Sequence, residues 1–225
     1  MRDFDWKGAR LAFQKALDLD PASLDSRDLY NFYFLVPQGR LDEAIEEAEQ
    51  ELPRDPLSAW LHFRLGYRFM LKRDFERATA QLAKSLELDP KYCPSYWTLA
   101  TVYFQKGMLD EAVLACEKHS EISGRGPWGL GTRGFAYGRA GRTSEARKLL
   151  RELHDLSRTR YVAPSSFAQV HFGLGSNDVG FEFLKKAAED RDGTIIHIAV
   201  DPFYDFIRPD PRYSGLLRKM NLASD

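Results

Sequence analysis

Two short stretches, GRLDEA at residues 39–44 and GMLDEA at residues 107–112, repeat almost the same six letters. They begin 68 residues apart, which is twice 34. A looser copy, KRDFERA, lies between them at residues 72–78, and GRTSEA follows at residues 141–146. Periods of roughly 20–50 residues are typical of solenoid proteins, in which each repeat is one supersecondary unit. The spacing therefore predicts a repeat array rather than two copies of a catalytic loop.

Small residues recur on this period along most of the chain. They are Ala9, Ala44, Ala78, Ala112, Ala146 and Gly180, separated by 35, 34, 34, 34 and 34 residues. Five residues before most of them lies a turn glycine, at Gly39, Gly107, Gly141 and Gly175, with Arg73 replacing it once. Glycine gives the backbone the freedom to reverse direction.

Twelve residues after the first three small residues come Pro21, Pro56 and Pro90, each preceded by Asp. Because proline cannot continue a helix interior, each Asp-Pro pair is predicted to end one unit and open the next.

Each unit divides into two helical patterns. Residues 75–88 place apolar side chains at three- and four-residue spacing, which is typical of an amphipathic helix, and residues 95–106 represent the other helix of a unit. We expect the Asp of each LDEA stretch, Asp42 and Asp110, to cap the second helix of its unit. Its carboxylate would accept a free backbone N–H of the first turn.

These units resemble the tetratricopeptide repeat family over residues 5–193. The resemblance rests on a small residue in the first helix and an aromatic residue three positions later. The pairs are Gly66 and Phe69, Ala100 and Tyr103, Gly134 and Tyr137, and Ala168 with His171. The family implies an all-α, right-handed superhelical solenoid, here with five helical pairs after one leading helix. Phe32 stands where a small residue is expected, so the unit at residues 23–56 is predicted to pack its helices differently.

The two ends of the chain depart from the repeat. We expect the repeat array to occupy residues 1–193 and a capping segment of the same domain to occupy residues 194–225. Residues 5–20 match only the second helix of a unit, which leads to the hypothesis that the repeats begin further upstream. Residues 199–222 are predicted to form one or two short helices that cover the last apolar face. Their apolar side chains are Phe203, Phe206, Ile207, Tyr213, Leu216 and Leu217.

The pattern of residues 199–222 is similar to the ending of tetratricopeptide domains in multidomain bacterial regulators. In such regulators the repeats follow a winged-helix, nucleotide-cyclase or serine/threonine kinase domain. The resemblance implies that this chain is the sensory or partner-binding part of a larger signalling protein. Its partner would be another protein or another domain of its own parent chain.

Composition excludes several classes of function. Lys and Arg number 32 against 33 Asp and Glu, so no net positive charge favours nucleic acid. No apolar run approaches the roughly 20 residues that span a bilayer, and the first residues lack a signal-peptide core. Cys93 and Cys116 form no CxxC pair, which argues against a disulfide framework and a structural zinc site. We therefore expect a chain that works in the cytoplasm without a membrane segment.

Charge is unevenly distributed along the chain. Residues 42–51 contain six acids and no base, whereas residues 139–160 contain seven Lys or Arg and three acids. A solvated helix face explains such runs in most proteins. Opposite charges also favour head-to-tail contact between molecules, so a homo-oligomer remains an alternative.

The glycine-rich stretch GRGPWGLGTRG at residues 124–134 satisfies the G-x-G-x-x-G pattern twice. A dinucleotide fingerprint needs a strand before it and a helix after it, and here a helical pattern precedes it. Packing is therefore the better interpretation, with a nucleotide-binding enzyme as the alternative. The five histidines show no HExxH or paired spacing, although His119 lies one helical turn from Cys116. We expect no catalytic residue, no cofactor and no metal.

The concave surface is the best candidate for function. In this family, fixed positions of each first helix line that surface, and on this sequence they are mostly aromatic. They are Trp60, Phe63, Tyr67, Trp97, Phe104, Trp128 and Phe135. Families that clamp a peptide carboxylate have Lys and Asn at such sites, so this lining argues against a carboxylate clamp. Aromatic side chains anchor apolar groups of a partner. The sequence predicts a non-catalytic module that binds a peptide or partner domain, although some of these rings belong equally well to the core.

Overall fold

The computed structural model describes residues 4–20, 23–124 and 126–222, and these residues form helices and turns without a β-strand. The α-helices are α1 (Trp6–Leu19), α2 (Leu24–Tyr30), α3 (Leu41–Glu51), α4 (Ala59–Leu71), α5 (Phe75–Leu88), α6 (Cys93–Gln105), α7 (Leu109–Ser123), α8 (Pro127–Arg139), α9 (Thr143–Ser157), α10 (Pro164–Gly173), α11 (Asn177–Glu189) and α12 (Pro211–Lys219). A π-helical turn covers Asn31–Leu35, and 3₁₀ turns cover Leu52–Arg54, Gly193–Ile195 and Pro202–Ile207.

Successive helices pack in pairs, and the pairs stack on one another. The first pair joins α2 and its π-helical turn to α3, and four further pairs run from α4 with α5 to α10 with α11. Helix α1 precedes them and packs on α2. The predicted all-α superhelical solenoid is therefore confirmed.

The turns within the pairs have the geometry that the glycine spacing predicted. Gly39, Gly107, Gly141 and Gly175 all have φ between 73° and 77°. Arg73, the one substitute, adopts the same left-handed conformation with φ 64°. An L side chain in this conformation costs roughly 1–2 kcal/mol, so Arg73 carries backbone strain that the glycines avoid.

Two other sequence-based expectations have mixed outcomes. Pro56 and Pro90 lie in the turns between units, as predicted, whereas Pro21 lies outside the described residues. The capping prediction for Asp42 and Asp110 is wrong, because the N-cap residues of α3 and α7 are Arg40 and Met108 and form no side-chain cap bond. Both carboxylates lie in the first turn, where negative charge is favourable to the helix dipole.

The unit at residues 23–56 departs from the others at Phe32, as predicted. The extra residue of the π-helical turn places Asn31 against α3, where it is fully buried and donates from Nδ2 to the Ala44 carbonyl over 2.9 Å. Phe32 packs on Tyr67, with ring centroids 6.0 Å apart, and on His197 at 4.4 Å. The π-helical turn thus removes a bulky ring from the contact between the paired helices.

Glycines on α8 bring it into backbone contact with α10. A Cβ atom at Gly138 would lie 2.3 Å from the main-chain carbon of Gly173, and one at Gly134 would lie 2.6 Å from Val170. A Cβ at Gly131 would similarly meet the backbone of Ser166. Gly131 and Gly134 of the glycine-rich stretch therefore serve the packing of α8 on α10.

The C-terminal segment, residues 192–222, does more than the capping role predicted for it. Helix α12 packs beside α11, where Lys219 pairs with Glu189 over 2.7 Å. The residues before α12 also cross the concave face of the solenoid, where Phe203 packs on Phe135 of α8 and Phe206 on Phe172 of the last unit. Aromatic groups that the sequence placed at the end of the array therefore fill its interior.

This segment also reaches the first helix of the chain. Trp6 is buried and donates from its indole Nε1 to the Met220 carbonyl over 2.9 Å. Asn221 donates to the Phe4 carbonyl over 3.2 Å. Contacts over more than 200 residues thus join the two ends of the solenoid around its concave side.

Candidate functional site

The concave face of the solenoid carries a row of aromatic side chains, one or more from each first helix. Tyr67 on α4 lies between Phe63 and Trp97, with ring centroids 6.0 Å from each. Trp97 on α6 continues the row to Trp128 on α8 at 5.7 Å. Edge-to-face and tilted rings at these distances attract one another. The row therefore forms a connected apolar surface along the groove.

One part of this groove, which we call the closed half, is occupied by the C-terminal segment. The Phe203 ring lies 4.5 Å from Phe135 on α8, and Phe206 lies 5.4 Å from Phe172 on α10. Gln105 on α6 donates to the Pro202 carbonyl over 2.7 Å. Because the segment contacts three first helices at once, the closed half is part of the hydrophobic core.

A hydrogen-bonded histidine fixes the segment at the base of α4. His197 is buried, and its Nε2 lies 2.7 Å from the Phe32 carbonyl, which can only accept, so Nε2 carries the proton. Its Nδ1 is then the acceptor for the Tyr67 hydroxyl at 2.6 Å. Burial lowers the pKa of His197 to about 4, which keeps the imidazole neutral at physiological pH.

The other part, which we call the open half, keeps its rings partly accessible. Trp60, Phe63, Trp97 and Trp128 are all half-buried. Phe63 and Trp97 border the main hydrophobic cluster, whereas Trp60 and Trp128 lie outside all three clusters formed by the described residues. Among the four rings of the open half, these two indoles therefore contribute least to the core.

Buried charged side chains pack against the open half. The Arg64 guanidinium lies 4.5 Å from the centroid of the Trp60 ring and pairs with Asp28 at 2.5 Å and with Glu51. Its neighbour Arg68 is 1% exposed and donates to Asn31 over 2.7 Å. A cation packed on an indole face fixes the orientation of the ring. Trp60 is thus presented on a rigid support rather than on a loop.

The seven predicted groove residues fall into two groups. Trp60, Phe63, Trp97 and Trp128 belong to the open half. Tyr67, Phe104 and Phe135 face the closed half, where Tyr67 and Phe135 are 4% and 3% exposed. Sequence reasoning missed His197 and Phe206 as parts of this surface. No periodic signal places them there, because residues 192–222 lie off the repeat.

A buried carboxyl lies where the C-terminal segment turns into its second 3₁₀ turn. Asp201 is 4% exposed and accepts the Phe203 N–H through Oδ1 over 2.8 Å. Burial is the main cause that raises its pKa to about 7, and Asp205 contributes in the same direction. The folded chain therefore binds a proton here that the unfolded chain loses near pH 4.

Replacing Asp201 by asparagine is expected to stabilise the protein at alkaline pH. The wild-type loses stability as pH rises from about 4 to 7, since only the unfolded state ionises freely in that range. Asparagine keeps the Oδ1 acceptor for Phe203 without the charge. The variant should therefore exceed the wild-type unfolding free energy by at least about 1 kcal/mol at pH 8, with the difference vanishing near pH 4. Urea denaturation at a series of pH values measures this.

Asp210→Asn is the matched control, because Asp210 also precedes a proline and caps the next helix. Asp210 is only half-buried, and its hydrogen bond with Arg212 lowers its pKa to about 2. Its removal should give no gain at pH 8. Equal behaviour of the two variants would contradict the burial of charge at Asp201.

Other functional groups form no evident second site in the part of the chain that is described. No cluster of three or more His, Cys, Asp or Glu side chains there is arranged to hold a metal ion. Cys93 and Cys116 are free thiols, and burial raises the pKa of Cys116 to about 12. No helix among these residues has the length and apolarity needed to cross a bilayer.

Helix pairs stacked on a 34-residue period, with a concave face lined by side chains of the first helices, define an α-helical solenoid. A family model for the tetratricopeptide repeat matches residues 94–123, which correspond closely to α6 and α7. These residues therefore match a tetratricopeptide repeat, and the helix pairs on either side repeat the same fold on the same period.

The fold of this chain is similar to that of several solved structures. The crystal structure of MamA is 24% identical, with TM-score 0.51 over 68% of this chain and 90% of that chain. A tetratricopeptide repeat protein from Parabacteroides merdae is 14% identical, with TM-score 0.57 over 96% and 86% of the two chains. The Cut9–Hcn1 hetero-tetramer of the APC/C gives 16% identity and TM-score 0.62 over 96% of this chain, which spans only 43% of that chain. At these identities the likeness concerns the fold alone.

Proposed function

We propose that this protein binds a short apolar segment of a partner protein in the open half of its concave groove. Tetratricopeptide repeats form protein–protein interaction modules, and the Cut9 chain with a similar fold forms a complex with Hcn1. The observation that supports the open half as the contact surface is the exposure of Trp60 and Trp128. Both are large, only half-buried and outside the core clusters of the described residues.

The chemistry of the open half favours an apolar anchor over a charged one. Its rings offer flat apolar faces, and Arg64 beneath Trp60 already has two carboxylate partners. Tryptophan and tyrosine supply large contact areas at low cost in conformational entropy, and they dominate many binding interfaces. A partner that packs aliphatic or aromatic side chains onto the accessible faces of Phe63, Trp97 and Trp128 would gain the most contact.

A binding role rather than a catalytic one is inferred for the chain. Gly131 and Gly134 are used in the contact between α8 and α10, and Gly129 faces Ser120 and His119 on α7. Their helix lacks the preceding strand of a dinucleotide site. The resemblance of residues 199–222 to the ending of repeat domains in bacterial regulators supports a role as the partner-binding part of a signalling protein. Two free thiols suit the reducing cytoplasm as its location.

Alanine at Trp60 or Trp128 is expected to weaken partner binding at least tenfold without unfolding the protein. Each change removes a ring that contributes to the open half but not to the core, and tenfold corresponds to about 1.4 kcal/mol. The probe is a peptide selected on the purified full chain from a random display library. Its affinity for each variant is measured by calorimetry, and helicity by circular dichroism.

Tyr161→Ala is the control, because Tyr161 is 70% exposed and takes part in none of the groove's ring contacts. Its affinity for the selected peptide should match the wild-type value. If both tryptophan variants bind as tightly as the wild-type, the open half is not the contact surface.

A further inference from the structure

The C-terminal segment makes its main contacts with parts of the chain that are distant in sequence. His197 bonds to Phe32, 165 residues away, and Gln105 bonds to Pro202, 97 residues away. Arg73 pairs with Asp205 at 2.6 Å, across 132 residues. The helix pairs of the solenoid, by contrast, are built from neighbours in sequence. Because local contacts form before distant ones, the segment is expected to dock after the solenoid has folded.

Until it docks, the solenoid presents a vacant groove that is complementary to this one sequence. Phe203 and Phe206 have their aromatic neighbours there, and Asp205 has Arg73. A second copy carries the same segment and offers the same contacts. At high concentration, capture from another molecule therefore competes with capture from the same chain.

The turn that connects the segment to the solenoid is strained. Helix α11 ends at Glu189, and Arg191 adopts φ 55°, which an L side chain rarely does. The turn is closed by the Arg191 N–H, which donates to the Ala188 carbonyl over 3.3 Å, and by a bond from Asp192 to Ala187. Opening this turn releases the strain of Arg191, whereas every contact beyond it can be formed again in another copy.

We propose that two copies of this chain exchange their C-terminal segments, so that the closed half of each concave groove is filled by residues 192–222 of the other copy. The exchanged dimer keeps the contacts of the closed half and leaves Trp60 and Trp128 accessible. Its amount depends on concentration during folding and on the conformation of the connecting turn.

The Lys219–Glu189 ion pair provides a direct test with the unmodified chain. The pair joins α12 to α11, on opposite sides of the turn, and both side chains are about half exposed. Unlabelled and isotope-labelled protein are mixed in denaturant, refolded at two concentrations about a hundredfold apart, and separated by size. A zero-length carbodiimide reagent then links the amine to the carboxylate, and mass spectrometry identifies the linked peptides.

If the segments are exchanged, a dimer should form at the higher concentration. Because labelled and unlabelled copies pair at random, about half of its linked pairs should combine a labelled and an unlabelled peptide. The monomer should contain only pairs of one label. A dimer without mixed pairs would be a surface association, and that result, or the absence of any dimer, would overturn the proposal.

Two variants of the turn should change the amount of dimer in opposite directions. Arg191→Gly removes the strain of the closed turn and should lower the dimer fraction about fivefold. Arg191→Pro cannot adopt positive φ and lacks the N–H that bonds to Ala188, so it should raise the dimer at least about tenfold. If Arg191→Pro does not fold, Arg191→Gly still tests the proposal. A dimer fraction of Arg191→Gly equal to that of the wild-type would contradict the role of the turn.

Discussion

Replacing Phe203 by alanine is expected to lower the free energy of unfolding by about 3–5 kcal/mol. Phe203 is 4% exposed, and its ring packs against Phe135 at 4.5 Å and against Tyr204 at 5.1 Å. Its removal leaves a cavity between the C-terminal segment and α8, where the surrounding helices can collapse only partly. Urea denaturation followed by circular dichroism measures the loss.

Tyr161→Ala serves again as the control, since an exposed ring outside the core should change stability by less than about 0.5 kcal/mol. A loss below about 1 kcal/mol for Phe203→Ala would contradict the structure, because the segment would then lie on the groove without belonging to the core.

Alanine at Gly138 is expected to destabilise the protein by about 2–3 kcal/mol, although alanine favours helices over glycine. The added Cβ would lie 2.3 Å from the main-chain carbon of Gly173 and 2.4 Å from its oxygen. A neighbouring side chain can rotate away, but a helix backbone cannot. Helices α8 and α10 must therefore separate, which disturbs the groove on both sides of Phe135. Thermal and urea denaturation both report this change.

Gly215→Ala is the matched substitution in a helix with free space. The nearest atom to its added Cβ is the end of the Arg218 side chain at 3.9 Å. Alanine should therefore stabilise α12 by up to about 1 kcal/mol, the opposite sign to Gly138→Ala. If the two variants shift stability alike, close approach of α8 and α10 is not the reason for the glycine.

The repeating part of the fold was predictable because each unit contains its own local sequence signals, chiefly the turn residues and the small residues of the period. A glycine such as Gly107 marks the turn in four of the units, and the period alone assigns Arg73 to the corresponding turn of another unit. Phe32 indicated that one unit differs, since a large ring does not fit between paired helices. The π-helical turn that resolves the conflict was not predictable, because it depends on Asn31 finding an acceptor on α3.

The closed half of the groove was not predictable for a different reason. Residues 192–222 lie off the period, and their partners are fixed by contacts over about a hundred residues or more. The aromatic content of Phe203 and Phe206 indicated burial but not the face that buries them. Tyr67 and Phe135 were predicted to line the groove together with Trp60 and Trp128. Nothing in the sequence distinguishes the first two from the two tryptophans, which the segment leaves accessible.

The four tryptophans allow the proposed division of the groove to be tested in one measurement. Trp6 joins the chain ends, whereas Trp60, Trp97 and Trp128 line the open half. The measurement is the set of indole N–H resonances of the isotope-labelled protein during titration with a peptide selected on it. We expect the three groove resonances to shift together and that of Trp6 to stay in place. Saturable binding that leaves all three groove resonances unchanged, or shifts Trp6 alone, would contradict binding in the open half.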